Sequence, residues 1–366
     1  MDQLNRLKTL RSLLPKEAFI PDSGKLVILV INLLIFIAGL TIARDLDQWS
    51  LGWLWLYLPL AIVMGNSVVV LLFSSHDLLH GSVIKNPRLA HFISLFGLAL
   101  LWMPPTLWKV VHNQKHHTQT NAMDDPDRSY LLQQSQTWGK WIQNLVVPSA
   151  EVNSFYLILG MATAWGTHTF RHLTSVLQIN PSGFGPTPIA SNANKRKMIA
   201  GELLIIALAH FSILAYLKFS FLSILLGYLM PIWIGYAGVM FYIYTNHFLC
   251  PMTEINDPFF NSLSIKVYKF FDLLHFNFSY HTEHHFFPSI NSDYYPLLRN
   301  LILTHYPNRL NLLTAGDAWQ SLLNTPRHYK DQQTLTDWSG NKSVICPCVS
   351  EPAIASPQRT GIKETA

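Results

Sequence analysis

Eight histidines fall in three short runs of a strongly apolar chain: His76 and His80 in HDLLH, His112, His116 and His117 in HNQKHH, and His281, His284 and His285 in HTEHH. Neutral imidazole is a good ligand for iron, zinc, copper and nickel, and eight are too many for one ordinary ion. Two adjacent ions in a nitrogen-rich cage is the reading that uses them all. His247, which follows an apolar run and Asn246, raises the candidate set to nine. A single HxxxH pair marks an ordinary surface more often than a metal site. Three such clusters, each at the end of an apolar run, are far more specific.

The spacing says what the supporting elements must do. His76 and His80 are four apart, as are His112 and His116, and His281 stands three and four before His284 and His285. On helices each cluster therefore shares one face. Asp77, Asp127 and Glu283 adjoin the clusters and are expected to accept the second ring N–H of the ligands, fixing tautomer and orientation. Soluble di-iron bundles use Glu and Glu-x-x-His ligands, and no comparable carboxylate set is visible here. His210, inside an apolar run, is read as a packing residue. His91, His168, His172, His275, His305 and His328 are read as ordinary polar contacts.

Only 13% of the 366 residues are charged and the mean hydropathy is +0.21. The apolar residues collect in four long runs: Leu26 to Ala43, Trp53 to Phe73, Ile199 to Leu217 and Phe219 to Thr245, with Glu202 the one charge among them. A helix rises about 1.5 Å per residue against roughly 30 Å of hydrocarbon, so each run can span. The expectation is an all-α integral membrane protein of about four transmembrane helices, with a cytoplasmic helical cap holding a di-metal site. The first run, behind a basic leader, is read as a retained anchor.

Arg6, Lys8, Arg11, Lys16 and Lys25 precede the first run, and Lys195, Arg196 and Lys197 the third. Only Arg44 and Lys218 lie in the opposite links, which puts the N-terminus, the central section and the C-terminus on the cytoplasmic side. The clusters share that side only if Leu89 to Pro105 and Ile142 to Trp165 make no net crossing. Pro104 and Pro105 break the first, and Pro148, Glu151 and Asn153 interrupt the second. The chain divides into a cytoplasmic segment (1–25), a membrane domain (26–330) and a loose polar tail (331–366) that holds Cys346 and Cys348. Three cysteines make no disulfide framework. The net charge of +5 suits anionic lipid or an acidic protein partner, with no nucleic acid implied.

With these boxes in this order, the chain resembles the membrane fatty acid desaturase superfamily over roughly Leu51 to Tyr329. YTNHFLCP after the fourth run, FNFSYHTEHHFFPSI around the third box, and the downstream YYPLLRNLI and NTPRHYKD also look like acyl-chain desaturases. The resemblance implies a mushroom-like helical protein, with four spans and a cytoplasmic cap over a non-haem di-iron centre. It implies a fatty acyl chain in a narrow tunnel, O2 as co-substrate and a C=C bond as product. Ligand status carries over to His76, His80, His112, His116, His117, His281, His284 and His285, with His247 as the ninth.

Some features depart from that pattern. His281 opens the third box where front-end desaturases commonly have Gln, and no HPGG haem motif is present. HDLLHG and DDPDRS look like the HD-x-x-HG first box and the DPD after the second box of carotenoid ketolases, which keeps a hydroxylase or ketolase open. No G-x-G-x-x-G follows a strand, so electrons must come from a separate donor, ferredoxin or cytochrome b5. An unactivated methylene yields to a redox metal and dioxygen, not to side-chain acid–base chemistry. A metal transporter would place its ligands near the midplane of broken spans, whereas these clusters lie outside the apolar runs.

Overall fold

The computed structural model describes residues 3–128, 132–133, 148–179, 189 and 191–348. Eleven helices carry the argument: α1 (Gln3–Leu13), α2 (Lys25–Ala43), α3 (Tyr57–His80), α4 (Pro87–Ala99), α5 (Ser154–Val176), α6 (Ala193–Tyr216), α7 (Met230–His247), α8 (Lys269–Leu274), α9 (His281–Phe286), α10 (Tyr295–His305) and α11 (Ala315–Asn324). Four segments are long and apolar enough to cross a membrane: Lys25–Gln48, Leu51–His80, Ala193–Tyr216 and Phe221–His247. They coincide with the four runs read from hydropathy. Their outer faces carry bare apolar side chains, among them Val27, Leu34, Leu204 and Phe211. In water such a surface would be unstable; against lipid it is the ordinary exterior of an integral membrane protein.

α3 and α7 form the axis of the bundle, and glycine sets how closely they pack. A Cβ on Gly65 would lie 2.5 Å from Ile234 Cγ2, and one on Gly235 would lie 2.5 Å from Val68 Cβ. This approach brings the ends of α3 and α7, and so His76 and His247, to one level. Short α4 starts at Asn86, whose side chain accepts from the Arg88 and Leu89 N–H groups, and it is not among the candidate spans. Two polar groups on α6 hold it. Glu202 binds His91 at 2.7 Å and the Thr106 N–H at 2.9 Å, while His210 Nε2 donates to the Ala99 carbonyl at 2.9 Å. His210 also stacks on Trp102, with ring centroids 4.2 Å apart. Its packing role is as expected.

Beyond α7 the chain wraps over the end of the bundle. Parallel β1 (Ser264–Lys266) and β2 (Leu312–Thr314) flank α8, α9 and α10. A separate apolar cluster joins Leu10 of α1 and Leu14 just beyond it to Phe286 and Phe287, which follow the third box, and to Leu298 of α10.

The loose tail expected from Asp331 onward is not what residues 331–348 form. β3 (His328–Tyr329), β4 (Thr334–Thr336) and β5 (Ser343–Ile345) make an antiparallel sheet, and Cys346 and Cys348 are buried along with Cys250. Polar composition concealed it. β-branched Thr334, Thr336, Val344 and Ile345 suit strand pairing even in a polar stretch. Residues 349–366 of that expected tail, and 142–147 of the expected interfacial stretch, lie outside the described residues.

Candidate metal centre

The last turns of α3 present His76 and His80, the last residue of α7 is His247, and α9 carries the third box. The second box is not one helix. Lys109–Asn113 makes a π turn and His116–Thr118 a 3₁₀ turn, irregularities that often mark functional sites. All nine histidines converge in two groups. His76, His80, His112, His117 and His284 each offer a ring nitrogen within 4.8 Å of the others, and so do His116, His247, His281 and His285.

The pairing differs from the four-apart rule. His76/His80 and His281/His285 do share a group, but His112 and His116 part. His112 Nε2 lies 3.1 Å from His117 Nε2 instead. The helix widens at the π turn and then breaks, so the five-apart partner takes the place of the four-apart one. His284 likewise leaves the other two histidines of its box, standing 3.2 Å from His76 Nε2 and 3.1 Å from His117 Nε2.

The outer ring nitrogens show where protons sit. His76 Nδ1 faces Asp77 Oδ1 at 3.2 Å, His116 Nδ1 faces Asp125 Oδ2 at 3.1 Å, and His247 Nδ1 faces the Asn261 carbonyl at 2.8 Å. Tyr295 Oη and Thr120 Oγ1 lie 2.9 and 3.3 Å from Nδ1 of His284 and His285. A carboxylate or carbonyl can only accept, so His116 and His247 each carry a proton on Nδ1. Their Nε2 atoms are 3.2 Å apart. When both rings are neutral in these tautomers, both Nε2 lone pairs point into the same space, as ligands of one ion would. His80 Nε2 is buried without a hydrogen-bond partner among the described residues. The donor set fits a pair of metal ions held by imidazole.

Burial, and after it the neighbouring imidazoles, push His112, His117, His281, His284 and His285 well below the ordinary 6.5, keeping them in the neutral, ligating form. His116 goes the other way. Burial alone would lower it, but the charge and hydrogen bond of Asp125 raise it overall.

Of the three acids expected to support ligands, Asp77 touches one directly. Its Oδ2 accepts from Ser292 Oγ at 2.9 Å and lies 3.9 Å from buried Lys25 Nζ. Glu283 instead binds Arg299 Nε and Ser264 Oγ, each at 2.5 Å, and so ties α9 to α10 and β1. Asp127 faces His168 and His172 and also comes within 4.8 Å of His116, while the carboxylate in contact with that ring is Asp125. Asp125 also accepts from the Asn121 and Asp127 N–H groups at 2.8 and 2.9 Å, so the tight turn selects which acid points inward. His168 and His172 are not isolated contacts. They are four apart on α5 and converge with Asp127, a spacing that was legible and passed over. Asn261, Tyr295 and Thr120 carried no comparable signal.

A narrow cavity of about 60 Å³ opens beside the cage. Leu72, Met103, Trp108, Trp165, Phe248 and Phe278 supply apolar walls, and His112, His116, His247 and His281 form one side. Its walls are mostly apolar, with the histidines closing one side.

Comparison with known proteins agrees with this geometry. The family model described as Fatty acid desaturase matches residues 53–313, which takes in all three boxes, His247 and the spans that carry them. No curated protein matches the chain. With the match covering well over half its length and the histidine clusters assembled as such a centre requires, the chain belongs to the fatty acid desaturase family.

Proposed function

We propose that the protein is a membrane-bound fatty acyl desaturase, placing a C=C bond in the acyl chain of a lipid or thioester at a di-iron centre. His76, His80, His112, His117 and His284 would hold one iron, and His116, His247, His281 and His285 the other. The observation that carries this reading is the convergence of nine histidines into two groups of ring nitrogens, set beside an apolar cavity. When bound, the irons supply, with O2, the oxidising power that an unactivated C–H bond requires. The balance is R–CH2–CH2–R + O2 + 2 e⁻ + 2 H⁺ → R–CH=CH–R + 2 H2O.

The chain's own residues bind and orient. Asp77, Asp125 and the Asn261 carbonyl keep the ligand protons on Nδ1 so that Nε2 faces inward. Trp108, Trp165 and Phe278 seat the hydrocarbon. Electrons come from a separate carrier, ferredoxin or cytochrome b5, reaching the cage from the cytoplasmic side. The test is product analysis with the protein expressed beside such a donor under labelled O2. The expected lipid is lighter by two hydrogens and carries no label. A main product heavier by one labelled oxygen would make the chain a hydroxylase, and a ketone on a carotenoid would make it a ketolase.

A further inference from the structure

One wall of the cavity beside the cage is unlike the rest. Leu72, Trp108, Trp165 and Phe278 suit a hydrocarbon, yet Asp127, His168 and His172 line the same space. Both histidines bring Nε2 to Oδ1 of Asp127, His168 at 3.1 Å and His172 at 2.9 Å. Arg171, from the same helix, reaches Nδ1 of His168 at 2.8 Å and the Pro126 carbonyl at 3.0 Å.

Arginine can only donate, so His168 accepts at Nδ1 and carries its proton on Nε2, aimed at Asp127. The lone pair that a metal ion would need on His168 Nε2 is therefore absent. The Arg171 guanidinium, 3.8 Å from Asp127 Oδ1, also opposes a dication. The trio is a carboxylate gripped by imidazole N–H groups. Burial alone would raise the Asp127 carboxyl, but the hydrogen bonds from His168 and His172 hold it well below the usual carboxylate range. Oδ1 is committed to the histidines, and Oδ2 accepts no hydrogen bond from the described residues. The Asp127 side chain keeps 17% of its surface open and lines the cavity, so Oδ2 can accept from what occupies it, and an unfunctionalised hydrocarbon offers it nothing.

We propose that Oδ2 of Asp127 is a substrate-binding acceptor, and that the chain oxidised here carries a hydroxyl close to the carbon presented to the cage. The inference rests on the acyl-chain reading above and narrows it to a hydroxylated lipid. In Asp127→Asn the two imidazole N–H groups would keep the amide oxygen at the Oδ1 position. The NH2 would then take the place of Oδ2, offering a donor where the wild type offers an acceptor.

Zinc has no redox chemistry, so zinc-loaded full-length protein reports binding without turnover. The probes are octadecanoyl methyl esters: unsubstituted, with a hydroxyl stepped along the chain, and with the matching oxo groups. The expected result is one hydroxyl position that binds about tenfold tighter than the unsubstituted ester, with no gain from its oxo counterpart. Asp127→Asn should reverse that order while keeping its zinc, which also shows that it is folded; if it does not fold, the positional series on wild type still decides. The proposal is overturned if no position exceeds the unsubstituted ester, or if the hydroxyl preference survives in Asp127→Asn. A zinc content of three per chain that drops to two in the variant would make the trio an ion site and overturn it as well. Failure of every ester to bind would instead bring down the acyl-chain reading on which it rests.

Discussion

At the scale of single residues, function comes down to where protons sit on imidazole. Asp125 holds the His116 proton on Nδ1, and loss of such a partner typically costs ten- to a hundredfold in metal affinity. Asp125→Ala should therefore lose metal from the His116 group first when dialysed against a chelator, at a level between full and half loading. Retention equal to wild type would remove Asp125 from the site.

Acid should act through the same rings. In the metal-free protein His112, His117, His281, His284 and His285 have folded values depressed below 6.5. The unfolded chain takes up protons on these rings as pH falls below about 6.5 while the folded chain resists, so their stabilising contribution, present above that pH, is lost on acidification. His116, raised by Asp125, contributes in the opposite sense: its share is present below 6.5 and fades as pH rises through its folded value. Five against one, the melting temperature of the metal-free protein should drop between about pH 7 and about pH 5. A flat or rising profile would contradict the assignment. The identity of these ligands was legible because histidine clusters are rare. Their partition between two sites was not, since a π turn and a 3₁₀ turn follow from tertiary packing rather than from any pattern at positions 109–118.

At the scale of elements, the site depends on how closely α3 and α7 approach. Gly235 faces Val68 where a Cβ has no room. Gly235→Leu should force the helices apart at a cost of about 1–3 kcal/mol. It should also lower metal content without touching a ligand, because His247 would move away from His116. Unchanged metal content and unchanged melting would show that the close approach is not needed. The four spans were readable from hydropathy alone, because lipid selects uninterrupted apolar length. The β3–β5 sheet escaped notice because strands of two or three residues, HY, TLT and SVI, leave no periodic signal. Asp127 and α5 meet over a long sequence gap, and no local pattern announces such a contact.

At the scale of the whole molecule, all nine histidines lie where the ends of α3 and α7 meet the wrapping segment, so the cage faces one side of the membrane. The excess of basic residues before the first and third spans predicts that this side is cytoplasmic. Single cysteines placed at Asp47, between the first two spans, and at Lys330 should react with an impermeant thiol reagent from opposite sides. Asp47 should be labelled in intact cells and Lys330 only after permeabilisation. The reverse pattern would invert the protein and move its electron donor to the other compartment.

The central claim is that nine histidines from three boxes and the end of α7 build one centre for two ions. Iron content of the purified full-length protein, measured beside His76→Ala and His247→Ala, tests it most directly. The account predicts about two irons per chain in the wild type, a loss in each variant, and in both variants a protein that still inserts in the membrane. One iron or none in the wild type, or two that survive His247→Ala unchanged, would contradict it.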